Sequence, residues 1–331
     1  MERFALAAAV VLGFALTAAL CSLFVPLRRV LERREQQQQP VQSEQPRPAP
    51  LRAPLWGGLC AAAGTVAAVG VGWLAACVGQ PELLGSEGRL MTRLLTALAG
   101  SLAFGAVGLA EDVARMRSPA ALGLRRDLRL LLEALAAAFV LLLLRAAGCL
   151  PRGLGVPGAG YVLLGSAVPF LWAVLMVALA ECARIAERDE GTVCGAAFVA
   201  MLALMMVEAG LGVPGLAVLP AALAGALVAL GLWAFPPARL GVGCCGSLLA
   251  AGAIGCIPLS LDMTSLTVPL ALPFWAAGGL LAAQLLCAKR TGKPLRCWVK
   301  KHKMSPETVF LCSFALSAVG YVLALALLRW C

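Results

Sequence analysis

The chain has 331 residues, of which 61% are hydrophobic and 13% are charged. One soluble core cannot bury that much apolar surface, so the composition excludes an ordinary water-soluble domain and indicates a membrane protein with several spans. A net charge of +10 is also typical of nucleic-acid binders, but no nucleic-acid-binding motif accompanies it, and we expect no such partner.

Ten apolar runs are long enough to cross a bilayer, for which a helix needs roughly 20 residues. Many of them are rich in Ala and Gly, and small residues let helices pack closely inside a membrane. We therefore predict an all-α bundle of about ten transmembrane helices that forms one integral-membrane domain over 1–331. The predicted spans are 3–26, 55–78, 93–110, 128–148, 161–180, 192–211, 214–234, 246–261, 267–287 and 307–329.

The first predicted span continues into the basic stretch RRVLERRE at 28–35. A cleaved signal peptide would instead end at a small-residue cleavage site, so we expect this span to be retained. The polar, Pro-rich segment 36–54 follows, and its composition predicts a flexible cytoplasmic linker.

Lys and Arg concentrate in every second connection between the predicted spans. Five connections hold 21 of the 27 basic residues, and basic loops of membrane proteins lie on the cytoplasmic side. We therefore predict a multi-pass protein of the cytoplasmic (inner) cell membrane with both termini facing outward. The five predicted cytoplasmic loops are 27–54, 111–129, 181–190, 235–245 and 288–306.

The 13 cysteines lie mostly within apolar spans, where a thiol behaves as a small hydrophobe. The same number in a small secreted domain would predict a disulfide scaffold. In this chain we expect no disulfides.

Glu111 and Asp112 form the first of three ionisable clusters in these loops, at the end of the third predicted span. Adjacent carboxylates can bind a divalent cation or divide the roles of acid and base. Alternatively, they cap a helix end and are simply solvated.

The second cluster, ECARIAERDEG, spaces Glu181, Arg184, Glu187 and Glu190 three residues apart. The four side chains share one face if the segment is helical, and ion pairs between neighbours would be the purely structural explanation.

The third cluster is the glycine-rich elbow after the seventh predicted span, in FPPARLGVGCCGS. Gly243 and Gly246 would let backbone amides approach an anion, and Arg239 supplies a positive charge suited to phosphate. The elbow is therefore a candidate phosphate-binding loop.

Four stretches resemble, in their order and spacing, the motifs of the polyprenyl-phosphate phosphosugar transferases (glycosyltransferase 4 family). The early Pro-Thr-Met-Gly-Gly of that family is similar to PLWGG at 54–58. Its Asp-Asp and the Gly-Leu that follows are similar to Glu111-Asp112 and Gly123-Leu124 at the same spacing.

Two later motifs extend the resemblance. The family's Asn-x-x-Asn-x-x-Asp-Gly-x-Asp-Gly is similar to ECARIAERDEG at 181–191, and its Asn-Phe-x-Pro-Ala-Lys with the closing Gly-Asp-x-Gly-Ser is similar to AFPPARLGVGCCGS at 234–247. The resemblance runs nearly end to end and is strongest to the phospho-N-acetylmuramoyl-pentapeptide-transferase group.

The resemblance implies that a lipid-carrier phosphate, undecaprenyl phosphate, attacks a UDP-linked N-acetylmuramoyl pentapeptide with the help of Mg²⁺ and releases UMP. It also implies three sets of residues. The catalytic candidates are Glu111, Asp112, Glu187 and Glu190; the substrate-binding candidates are Arg239, Gly243, Gly246, Ser247, Glu181, Arg184 and His302; the metal candidates are Cys244 and Glu190.

The chain departs from the family at these same positions. Cys244 stands where the family has its metal-binding Asp, and a thiol is a poor ligand for a hard cation. Glu111, Glu187 and Glu190 replace shorter Asp residues, and a misplacement of about 1 Å can cost roughly 10²-fold in rate. The chain has no asparagine, and His302 is its only histidine.

These departures leave several alternatives open. Cys244 and Cys245 would suit zinc or a redox role, or they are small residues that replaced a dispensable Asp. Arg184 and Arg188 either offset a lost metal ion or pair with neighbouring glutamates.

Three functions follow. The first is an active phosphosugar transferase of peptidoglycan synthesis; the second is a catalytically impaired relative that binds lipid carrier or nucleotide-sugar, or partners a cell-wall enzyme, as a homodimer or heterodimer. The third is a transporter, which is disfavoured because the ionisable residues gather at span ends and not at the bilayer midplane. Three other charged residues, Glu133, Arg145 and Glu208, are expected to snorkel to the interface.

Overall fold

The structure of the chain is a computed structural model that describes residues 2–38, 56–79, 88–117, 123–151, 153–156, 160–163, 165, 167–187, 191–213, 215–235, 238–291 and 306–330. Eleven helices lie within these ranges: α1 (Glu2–Gln38), α2 (Gly57–Gly79), α3 (Gly88–Arg117), α4 (Arg126–Ala146), α5 (Ala167–Ala186), α6 (Thr192–Gly210), α7 (Val218–Ala234), α8 (Gly243–Ser260), α9 (Thr267–Leu270), α10 (Leu272–Thr291) and α11 (Pro306–Trp330). A 3₁₀ turn, Thr264–Leu266, precedes α9, and a short antiparallel hairpin of β1 (Gly153–Val156) and β2 (Gly160–Leu163) joins α4 to α5.

The all-α membrane bundle predicted from the sequence is confirmed. Among the described residues, seven helices are long and apolar enough to cross a membrane, and an eighth span results if α9 and α10, bent by 64° at their junction, count as one. Each of the ten predicted runs coincides with a helix or with this bent pair, although α7 is short and α4 carries five charged residues.

Three predicted boundaries change. The fifth predicted span starts too early, because 161–163 belong to β2 and the helix begins at Ala167. The third span continues as α3 through Arg117, and residues 36–38 of the predicted linker belong to α1. The remainder of that linker lies outside the described residues.

Helix α8 is the centre of the bundle, and every one of its residues is buried. Its sequence, GCCGSLLAAGAIGCIPLS, is rich in small residues, and it packs most extensively against α3 and also against α2 and α5. A Cβ added at Gly108 of α3 or at Gly58 of α2 would collide with the α8 backbone at Cys244 or Gly246. Glycines therefore let both helices approach the first turn of α8 closely.

Candidate functional site

Glu111 and Asp112 lie inside α3, with only 2% and 1% of their surfaces exposed. The helix runs six residues past Glu111 to Arg117. The alternative that this pair is simply solvated is therefore wrong. Buried carboxylates are costly unless they are hydrogen-bonded or paired with a positive charge.

The carboxylate of Asp112 accepts two hydrogen bonds from the start of α8. The backbone N–H of Cys244 donates to its Oδ1 at 3.0 Å, and the N–H of Cys245 donates to its Oδ2 at 2.9 Å. The N–H groups of the first helical turn have no partner within their own helix, and a negative charge there is favourable. Asp112 thus caps α8 from a neighbouring helix.

Arg115 lies one turn after Glu111 and Asp112 on α3 and contacts both of them and Glu187, which follows α5. Its guanidinium lies 2.7 Å from Glu111 Oε1, 3.5 Å from Glu187 Oε2 and 4.0 Å from Asp112 Oδ1. The sequence analysis missed Arg115. Its i+3 and i+4 spacing from two acidic residues is the signal that could have identified it.

A second group of ion pairs joins α3, α4 and α5. Arg129 of α4 contacts Glu181 Oε1 at 2.7 Å and Glu111 Oε1 at 3.6 Å, while Arg184 contacts Glu181 Oε2 at 2.6 Å. The ion-pair interpretation of Glu181 and Arg184 is confirmed. We call these seven residues the charge cluster: Glu111, Asp112, Arg115, Arg129, Glu181, Arg184 and Glu187.

The segment after α5 brings Glu187 into the same cluster. Its N–H donates to Ala183 O at 3.0 Å, so the helical turn continues to this residue. The thiol of Cys244, which is fully buried, donates to Glu187 Oε2 at 3.5 Å. Glu190 and Arg188, expected on this segment, lie outside the described residues.

Comparison with known proteins places these residues in a family. The model of "Glycosyl transferase family 4" matches residues 94–262, just over half of the chain. The chain belongs to glycosyl transferase family 4. A phospho-N-acetylmuramoyl-pentapeptide-transferase of Synechococcus sp. (strain RCC307) is 30% identical over 212 residues, which are 63% of this chain and 55% of that protein. The chain therefore spans about half the length of that relative.

The whole charge cluster lies within the region that matches the family, and so does the elbow at 234–247. The three-dimensional structure brings together residues from four helices that the motifs had only placed in order along the chain. The family match and the 30% identity support a divergent family member. Two of the residues that differ from the motifs, Cys244 and Glu187, are in contact with each other.

The described residues do not fit the Mg²⁺ that the family resemblance implies. No group of three or more His, Cys, Asp or Glu side chains within the described ranges is arranged to hold a metal ion. The carboxylates of Glu111 and Glu187 are directed at Arg115, both oxygens of Asp112 accept α8 amides, and Cys244 adds a soft thiol. A Mg²⁺ ion instead requires near-octahedral oxygen ligands.

The glycines of the elbow serve packing and helix initiation in this structure. Gly243 begins α8 with a positive φ of 71°, a conformation that side-chain-bearing residues rarely adopt. A Cβ added at Gly246 would lie 2.7 Å from Val242 and 3.1 Å from Gly58 Cα. Ser247 donates its hydroxyl hydrogen to Cys244 O at 3.2 Å, and Arg239 is exposed. Their predicted contacts with phosphate stay predictions, and His302 lies outside the described residues.

The expectation that Glu133 and Glu208 snorkel to the membrane interface is wrong. Both are buried, with 0% and 1% of their surfaces exposed, whereas Arg145 at the far end of α4 is exposed. Glu133 lies one turn after Arg129, close enough to Arg129, Arg184 and Glu181 to feel their charges. Glu133 is therefore a buried residue next to the charge cluster, whereas the sequence analysis expected it at the membrane interface. The ten cysteines whose side chains the structure describes are free thiols.

Proposed function

We propose that this protein is a membrane phosphosugar transferase of peptidoglycan synthesis. The donor would be UDP-N-acetylmuramoyl pentapeptide, the acceptor undecaprenyl phosphate, and the products UMP and a pyrophosphate-linked lipid. Family membership supports the class of reaction. The observation that carries the proposal is the charge cluster, in which three arginines and four carboxylates from α3, α4 and α5 gather beside the first turn of α8.

The reaction needs charge handling more than acid–base chemistry. An oxygen of the lipid phosphate attacks the β-phosphorus, the bond from that phosphorus to the bridging oxygen breaks, and UMP leaves with the electron pair. Two anions must approach each other, so fixed positive groups lower the barrier. Arg115 has 22% of its side chain exposed and Arg239 is exposed, so both can face a ligand.

Asp112 and Glu181 act through other residues in this proposal. Asp112 fixes the first turn of α8 against α3, and Glu181 holds the guanidinium groups of Arg129 and Arg184 from two sides. Preorganised charges stabilise a transition state without the cost of reorienting during the reaction. We also propose that this end of the bundle faces the cytoplasm, where nucleotide-sugars are found.

The test is UMP release by the purified full-length protein in detergent with both substrates, once with Mg²⁺ and once with EDTA. We expect turnover, and we expect Arg129→Gln to lower kcat by about 10²-fold, as loss of one charged donor does at other transferring centres. Arg145→Gln is the matched control, because Arg145 is exposed at the opposite end of the same helix. No UMP in either buffer would contradict the proposal.

A second candidate is binding without turnover, as in an impaired relative that regulates or partners a cell-wall enzyme. The observation that favours it is that Glu111 and Glu187 already contact Arg115 and that both oxygens of Asp112 accept α8 amides, so these carboxylates have partners within the protein. Equilibrium binding of undecaprenyl phosphate or the UDP-sugar, without UMP release by either the natural chain or a Cys244→Asp variant, would support this candidate. Turnover would exclude it.

A further inference from the structure

Three carboxylates from two segments converge on one guanidinium. Glu111 and Asp112 come from α3, Glu187 follows α5, and Arg115 lies between them at 2.7, 4.0 and 3.5 Å. Their side chains are 3%, 1% and 12% exposed, so water screens these charges poorly. Such a set of carboxylates needs a cation, and in this structure the protein itself supplies it.

The backbone near Arg115 leaves room for its side chain. Gly123, just before α4, has a positive φ of 70°. A Cβ there would lie 3.1 Å from Arg115 Cγ and 3.5 Å from Glu111 Oε1, closer than an ordinary contact in the first case. The absence of a side chain at Gly123 therefore accommodates the ion pair between Arg115 and Glu111.

The cluster nevertheless keeps unused acceptor capacity. Glu111 Oε2 is buried and has no hydrogen-bond partner among the described residues, and the same holds for both carboxylate oxygens of Glu133. Four carboxylates also face three guanidinium groups, so the charge cluster carries one negative charge in excess when all seven groups are ionised. Removal of the Arg115 guanidinium, which alone lies among Glu111, Asp112 and Glu187, would leave an anionic, oxygen-rich cavity. Divalent cations prefer such an environment.

We propose that Arg115 is a permanent internal counter-ion that occupies the position of a divalent cation between Glu111, Asp112 and Glu187, and that its removal turns these residues into a divalent-cation site. The protein thus holds this end of the bundle together without a bound metal. This inference does not depend on transferase activity, because it concerns cation binding and stability alone.

The experiment measures Mn²⁺ binding and thermal unfolding of the full-length protein in detergent. Mn²⁺ is the probe because its free form has a paramagnetic resonance signal that disappears on binding. The natural chain should bind no Mn²⁺ at the cluster and unfold at the same temperature in EDTA and in Mn²⁺. Arg115→Gln should unfold at lower temperature in EDTA, bind about one Mn²⁺ and regain about 2–4 °C with the ion.

Arg129→Gln is the matched control. It removes the same charge from the same cluster but leaves Arg115 among its three carboxylates, so it should bind no Mn²⁺. Tight Mn²⁺ binding with stabilisation of the natural chain, or a folded Arg115→Gln variant that binds none, would overturn the proposal.

A second variant decides the matter if Arg115→Gln does not fold. Arg115→Gln/Glu187→Gln removes one charge of each sign and preserves the balance of the cluster. We expect this double variant to fold, and its failure to fold as well would also overturn the proposal.

Discussion

The carboxylate of Asp112 joins two helices that are far apart in the sequence. Each of its oxygens accepts one N–H from the first turn of α8, and Arg115 lies 4.0 Å from Oδ1. The negative charge lies where the partial positive charge of the α8 helix dipole is greatest. Asp112 therefore stabilises the junction of α3 and α8 without the help of a ligand.

The first prediction concerns this capping role. Asp112→Asn keeps one acceptor oxygen but leaves a buried N–H of α8 without its partner, which costs about 1–3 kcal/mol. The measurement is the midpoint of SDS-induced unfolding, with Asp127→Asn as the control, because Asp127 is exposed in the first turn of α4. Equal midpoints for the two variants would show that Asp112 does not stabilise α8.

The close approach of α2 and α3 to α8 depends on glycine residues in both helices. Gly58 and Gly108 face the backbone of the first turn of α8, which carries Cys244 and Gly246. Without a Cβ at these positions the helix backbones come into direct contact, and this contact supplies packing energy that the apolar lipid cannot. Gly58 of the PLWGG motif is thus a packing contact of α2 with α8.

The second prediction compares two glycines of α2. Gly58→Ala places a Cβ against the α8 backbone and should destabilise the bundle by about 1–3 kcal/mol, as overpacking does elsewhere. Gly70→Ala is the matched control, because its Cβ would meet no atom within 4 Å and Ala favours the helix by about 1 kcal/mol. Unfolding midpoints that fail to separate the two variants would contradict the assigned packing role.

The hydropathy of the sequence was sufficient to predict the helices. The contacts between ionisable residues of different helices could be identified only from the three-dimensional structure. Ten apolar runs gave ten helical regions because membrane spans must satisfy their backbone hydrogen bonds internally. Sequence spacing could suggest the pairs of Arg115 with Glu111 and of Arg184 with Glu181, since both lie within one helical turn. The bonds from Asp112 to α8, 132 and 133 residues away, depend on how α3 packs and leave no local pattern.

Seven ionisable residues from different parts of the chain meet at one end of the bundle. The end of α3, the start of α4, the end of α5 and the start of α8 meet in the charge cluster, so these four chain segments share one side of the bundle. Three of the predicted cytoplasmic loops, 111–129, 181–190 and 235–245, belong to these segments. The contacts and the distribution of Lys and Arg therefore agree on which loops lie together, and the basic residues predict that this side is cytoplasmic.

The third prediction tests that orientation with reporter fusions on either side of α8. A fusion of alkaline phosphatase after Arg239 should be inactive, because the enzyme would stay in the cytoplasm, and a fusion after Met263 should be active outside. Green fluorescent protein at the same two positions should show the opposite pattern. A reversed result would place the charge cluster on the outer face, away from nucleotide-sugars, and the proposed transferase reaction could not take place there. The same result would leave the internal counter-ion role of Arg115 intact, since that role depends on contacts within the bundle and not on the side of the membrane.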